Sequence, residues 1–147
     1  MKLERFFPYR LAVLAEAVSR SMAQVYDQRF ELTRDEWRVL AALAEVRSMK
    51  TGAVIAYTTL DKMAVSRAVK RLERNGLIAR DADPDDGRGH VLRLLSAGRA
   101  LYRRIVPVVL ERERFLFEGL SEAERAALDA ALDKLLRRAR RLLGQSA

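Results

Sequence analysis

From about Tyr9 to Arg29 the apolar residues Leu11, Leu14, Val18, Met22 and Val25 recur three and four apart, a spacing that predicts one face of a helix. Pro8 suits its first turn, where the missing N–H costs nothing. A second helix start stands at Thr33-Arg34-Asp35-Glu36, a capping box in which the Thr hydroxyl accepts from the third helical N–H and Glu36 reaches back. Trp37, Leu40, Ala41 and Leu43 follow at helical spacing. A short segment, Gly52 to Tyr57, then leads into a third periodic stretch, Lys62 to Arg74.

Between Asn75 and Leu95 the period changes. Asn75-Gly76 is a helix stop, since both residues tolerate the left-handed backbone that ends helices. Leu77 to Ala79 reads as a short strand and His90 to Leu94 as its return partner, with His90, Leu92 and Leu94 on one face. The connection, Asp81 to Gly89, is rich in turn formers, and Pro84 after Asp83 suits a type I turn. Helical spacing resumes from Leu101 to about Glu118, where Pro107 predicts a kink. Ser121-Glu-Ala-Glu124 is another capping box. Beyond it, Leu128, Leu132, Leu135, Ala139 and Leu142 form a coiled-coil-like seam. Such a seam needs a partner: the N-terminal helix of the same chain, or the helices of a second copy.

Composition narrows the class. The 147 residues are half apolar, carry a net charge of +8 and contain no Cys. No apolar run approaches the ~20 residues needed to span a bilayer, and the N-terminus lacks the apolar core of a signal peptide. Together with the absence of Cys, this points to a cytoplasmic protein without disulfides. A net positive charge favours a polyanionic partner. The excess is spread as +1 over residues 1–49, +3 over 50–98 and +4 over 99–147, so its clustering matters more than its sum. Arg137, Arg138, Arg140 and Arg141 form one cluster, explained by complementing the negative end of a helix dipole. Lys62, Arg67, Lys70, Arg71 and Arg74, against Glu73 alone, form the other.

On a helical wheel at ~100° per residue, Val65, Ala68, Val69 and Leu72 fall on one stripe, while Met63, Arg67, Lys70 and Arg74 lie opposite with Ser66 beside them. One face suits a core; the other suits phosphates and base edges. Ala56, Thr58 and Thr59 are small enough for a tight helix–turn–helix crossing before it. A hairpin with Arg88 between two glycines follows. Helix–turn–helix plus basic hairpin is the winged-helix arrangement, with the second helix in the major groove of double-stranded DNA and an Arg available to the minor groove.

At these residues the chain resembles the MarR family of bacterial transcription regulators. The matching pieces are FFPYRLAVLAEAVSR, LTRDEWRVLAAL, TLDKMAVSRAVKRLERNGLIAR, DPDDGR and LLSAGRALYRRIVP, spread in order over about residues 6–142. The resemblance implies a mainly α fold with a small β-hairpin wing: a winged helix-turn-helix lobe at 33–98, with dimerisation helices in 1–32 and 99–147. It implies an obligate homodimer on a pseudo-palindromic operator, and a pocket for small, often aromatic or anionic, effectors. By this resemblance Asp61 begins the recognition helix, Lys62, Ser66, Arg67 and Lys70 face DNA, and Asp86 orients Arg88 in the wing. The chain departs from the pattern at Gly87, where another Arg is common, at Leu95, which leaves Ser96 as the cap, and at Val54, where an acid is common.

Other residues sharpen the exclusions. Trp37 fits either core packing or an effector pocket; Tyr9 and Arg10 fit either the pocket mouth, where Arg10 could pair with a carboxylate, or plain surface. His90, the single His, points to a structural or phosphate-contacting role, because no triad or metal-ligand set accompanies it. Asp81-x-Asp83-x-Asp85 is no calcium loop: Pro84 interrupts it, Asp86 stands where Gly is needed, and Leu92 where Glu should fall. There is no phosphate-cradling Gly-rich loop, and no cofactor or catalytic set. The sequence therefore predicts a sequence-specific, ligand-responsive regulator acting as a repressor, not an enzyme. The alternatives are a winged-helix architectural protein that binds DNA without sequence preference, and a helical protein whose basic face meets another protein.

Overall fold

A computed structural model describes residues 2–144, which form six α-helices and one small sheet. The order is α1 (Phe7–Phe30), α2 (Arg34–Ala44), β1 (Met49–Lys50), α3 (Thr51–Thr58), α4 (Lys62–Arg74), β2 (Ile78–Asp83), β3 (Asp86–Leu94), α5 (Ser96–Phe117) and α6 (Glu122–Leu142). The chain up to Val109 makes one compact unit and the chain from Leu110 a second. The ends of the expected dimerisation segments, residue 1 and residues 145–147, lie outside the described residues.

Both capping boxes form. In the first, the Glu36 N–H donates to Thr33 Oγ1 at 3.2 Å and the Thr33 N–H donates to Glu36 Oε2 at 3.1 Å. In the second, Ser121 and Glu124 exchange bonds of 2.8 and 3.2 Å. The α3–α4 turn is tight: Thr59 takes a left-handed backbone (φ 58°), and Asp61 caps α4 by accepting from the Ala64 N–H at 2.8 Å. Gly76, at φ 69°, closes the far end of α4 in the conformation Gly adopts without strain.

One core fills the first unit. It takes Val39, Leu40 and Leu43 from α2, Val54 from α3, Val65, Val69 and Leu72 from α4, and Ile78, Leu92 and Leu94 from the sheet. Val25 and Tyr26 of α1 and Ile105 of α5 join the same cluster, so the seams drawn at 32/33 and 98/99 run through packed side chains. Val54 is fully buried, which explains an apolar residue where the family pattern has an acid.

The sheet differs most from expectation. It has three antiparallel strands in the order β1-β3-β2, and the two-residue β1 was not foreseen. The strands run through most of the expected connection, leaving Pro84 and Asp85 as the turn. Ala82 pairs with His90 but Asp83 with Asp86, so Gly87, Arg88 and Gly89 are accommodated in an irregularity of β3 rather than in an open loop. Three carboxylates explain why this acidic, turn-rich segment stays extended. Asp81 pairs with Arg93 at 2.9 Å across the hairpin, Asp83 with Lys50 at 2.9 Å, and Asp85 with Lys50 at 3.5 Å.

Helix ends also shift. The first helix begins at Phe7, and α5 begins at Ser96 instead of Leu101 and passes through Pro107 without ending. The Arg99 N–H bonds to the Leu95 carbonyl, so Leu95, not Ser96, occupies the cap position. Gly98 explains the early start: a Cβ there would lie 2.1 Å from the Leu77 carbonyl oxygen, so only glycine lets α5 pack this close to the start of β2. In the second unit, the Arg125 guanidinium lies over the Phe117 ring at 4.3 Å. α6 has no buried residue, and Leu128, Leu132, Leu135 and Leu142 of the expected seam are exposed.

Candidate nucleic-acid interface

The two sides of α4 separate as the wheel predicts. Ala64, Val65, Ala68, Val69 and Leu72 are buried, while Lys62, Met63, Arg67, Lys70 and Arg74 are exposed. Met63 is 65% exposed, an unusual cost for a large apolar side chain unless it meets another surface. Ser66 sits half-buried at the boundary between the faces. Among the described residues, no ion pair engages Lys62, Arg67, Lys70, Arg74 or Arg88. These cations retain their hydration and lose little by exchanging it for phosphate.

Arg71 is different. Its Nε lies 3.2 Å from Glu36 Oε1, and Glu36 is only 3% exposed. A buried carboxylate requires a partner, and Arg71 ties α4 to the start of α2 while the other Glu36 oxygen completes the capping box. The expectation that Arg71 faces DNA gives way to this packing role. On the wheel Arg71 falls about 60° from the centre of the basic face, past Arg67, which is the signal that sets it apart.

The wing is held from its base. Lys50 on β1 reaches the buried Asp83, whose other oxygen accepts from the Asp85 N–H at 3.0 Å. The Asp85 amide and the Lys50 ammonium hold the Asp83 carboxyl below the usual carboxylate range, and Asp83 in turn raises Lys50. Asp86 accepts from the Arg88 backbone N–H at 3.0 Å, so it orients Arg88 through the main chain. Gly89 is required nearby, because a Cβ would come within 3.2 Å of Asp86 Oδ2 and 3.3 Å of Asp83 Cβ.

The three residues expected at an effector pocket do not meet within one chain. Trp37 is stacked between Tyr26 and Tyr102, with ring centroids at 5.5 and 5.7 Å. Tyr9 and Arg10 are exposed in the first turns of α1. Seventeen residues at the α-helical rise separate Tyr9 from Tyr26 by about 25 Å along the axis.

Residues 30–89 match the model of the MarR family. A MarR/EmrR-family regulator from Acinetobacter sp. ADP1 superposes with a TM-score of 0.86, at 28% identity over 96% of this chain and 99% of its own. The chain belongs to the MarR family. This is a family of DNA-binding transcription regulators, not of enzymes. The chain is also 26% identical over 128 residues to the HTH-type transcriptional repressor IacR of Pseudomonas putida, covering 86% of this chain and 76% of IacR. A third relative is the solved BpsR of Bordetella bronchiseptica, described with regulation of its DNA binding by 6-hydroxynicotinic acid. It has a TM-score of 0.73 at 28% identity, over 86% of this chain and 98% of its own.

Proposed function

We propose that this MarR-family protein is a homodimeric, sequence-specific repressor that releases a pseudo-palindromic operator when a small aromatic or anionic ligand binds. The observation that carries the reading is the exposed, unpaired face of α4, with Met63, Arg67 and Lys70 opposite a fully buried stripe and a cationic wing following in the chain. Phosphate contacts from Lys62, Lys70 and Arg88 supply salt-dependent affinity. Ser66 and Arg67 supply base discrimination of about 1–3 kcal/mol per good bidentate contact.

Uncovered apolar surface supports the dimer. Phe6, Phe7, Leu11 and Leu14 are exposed around the start of α1, and Leu132, Leu135 and Leu136 on α6, more than an isolated chain keeps in water at no cost. A symmetric dimer would set half-sites about one helical turn apart. The Tyr26–Trp37–Tyr102 stack supports the ligand reading: it offers flat aromatic surface, and Tyr9 and Arg10 of a second copy are the groups free to complete a site with it. IacR is named a repressor, and BpsR is named with an aromatic acid that regulates its DNA binding.

Selection of bound sites from random duplexes, repeated with a panel of aromatic acids, tests this reading. An enriched palindrome whose binding one acid weakens is the expected result. A ratio of specific to non-specific affinity near one would replace it with the architectural reading.

A further inference from the structure

Beside the recognition helix lies a cleft of about 180 Å³ that the winged-helix reading leaves without a role. It is lined by Thr51, Lys62, Ser66, Val69, Arg80 and His90. Its position follows from the sheet register. Arg80 pairs with Leu92, and His90 with Ala82, so Arg80 and His90 share the face of the sheet that carries Leu92. Leu92 and Leu94 on that face are buried in the core. One strand step further out the same face leaves the core and carries cations instead of aliphatic groups. The Thr51 hydroxyl donates to the His90 carbonyl at 3.2 Å, pinning this part of β3 to the start of α3. Glu73 is the acid nearest the cleft's cations, 3.6 Å from Arg80 Nε through one edge of the guanidinium.

The duplex has its own geometry. Where a recognition helix occupies the major groove and a wing reaches the adjacent minor groove, one sugar–phosphate strand separates the two. That strand must cross the protein between α4 and the hairpin, which is where this cleft opens. We infer that the cleft is a clamp for a single backbone phosphodiester, gripped by Arg80 and His90 of the wing strands together with Lys62 of α4. The inference rests on the DNA-binding reading above and deepens it. Arg80 and His90 become positioning residues: they fix the angle between helix and wing on the duplex and carry no sequence information.

The test uses the full-length protein and the duplex selected above, with a random 30-bp duplex in parallel. Arg80→Ala and His90→Ala are each expected to weaken both duplexes by the same factor, roughly tenfold for Arg80, and to leave the ratio between them unchanged. The slope of log affinity against log salt should fall by about 0.9 for the one lost phosphate contact. Arg80→Lys should restore most of the slope. A scan of neutral methylphosphonates through the selected site should find one linkage per half-site that weakens wild type but leaves Arg80→Ala unchanged. Equal thermal unfolding of wild type and variants separates these effects from misfolding. Wild-type affinity and slope in both alanine variants, or a methylphosphonate penalty identical in wild type and Arg80→Ala, overturns the clamp while DNA binding stands. Absence of any duplex binding by wild type at low salt would overturn the DNA reading and the clamp with it.

Discussion

Replacing Gly98 by Ala should loosen the joint between α5 and the wing. The added Cβ would sit 2.1 Å from the Leu77 carbonyl oxygen, 3.0 Å from its carbon and 3.2 Å from Leu94 Cδ2. Carbon and oxygen pack no closer than about 3.3 Å, so α5 must retreat by more than an ångström or Leu77 must move. The same carbonyl accepts from the Leu95 N–H at 3.0 Å, and either movement strains that bond. Overpacking costs about 1–3 kcal/mol, and the damaged hydrogen bond adds about 1 kcal/mol. The greater helix propensity of Ala returns about 1 kcal/mol. The expected net loss is therefore about 1–3 kcal/mol in urea unfolding with an unchanged m-value. Because Leu77 leads directly into β2, a displaced carbonyl also shifts the hairpin, so affinity for the selected duplex should fall with sequence preference retained. A variant as stable as wild type, or stabilised by the propensity gain alone, would refute the claim that this contact closes the joint.

Arg71→Ala should lower stability by about 1–2 kcal/mol, because it leaves the buried Glu36 oxygen without its cation, yet leave sequence preference intact. Arg67→Ala should do the reverse, and selection from random duplexes with each variant distinguishes the two. The lowered Asp83 carboxyl contributes stability above its ordinary value of 3.8, lost as pH falls through the lower folded value. Lys50, raised above 10.5, contributes fully below that value and loses its part only as pH rises beyond it. Asp83→Asn should therefore flatten the acid limb of wild-type stability, read by urea unfolding from pH 7 downward; an unchanged limb would show that Asp83 is not the group. Leu132→Asp with Leu135→Asp should shift sedimentation toward the monomer and abolish tight operator binding, whereas an unchanged dimer would remove α6 from the interface.

The elements legible in advance were those whose signal is local. The Thr33 and Ser121 capping boxes, the Asn75-Gly76 stop and the α4 stripe each depend on residues within a turn or two, and each is present in the structure. The elements that escaped depend on distant partners. Met49 and Lys50 are too few to show a period, and they become a strand only because β3 offers Leu92 and Val91 beside them. Asp81 to Gly89 has the composition of a loop. It is extended because Arg93 and Lys50 neutralise its acids, a fact of pairing that no window of composition contains. The start of α5 was placed too late because Gly98 argues against a helix by propensity, whereas here its missing side chain is what admits the helix.

The same distinction divides the candidate site. Arg67 and Arg71 lie four residues apart with the same side chain, and charge counting cannot separate them. Glu36 does so, by burying a carboxylate where only Arg71 reaches. Once Arg71 is committed to the α2–α4 contact, the face left on α4 is narrower than the basic run suggests and centred on Met63, Arg67, Lys70 and Arg74. A narrower face also fits the groove better, since a helix in the major groove touches bases along one side only. The cations on its flanks, Lys62 and the Arg80–His90 pair, then fall to the backbone. Structural pairing inside the lobe thus decides which cations remain for bases and which for phosphates, and that division follows from the burial of one glutamate.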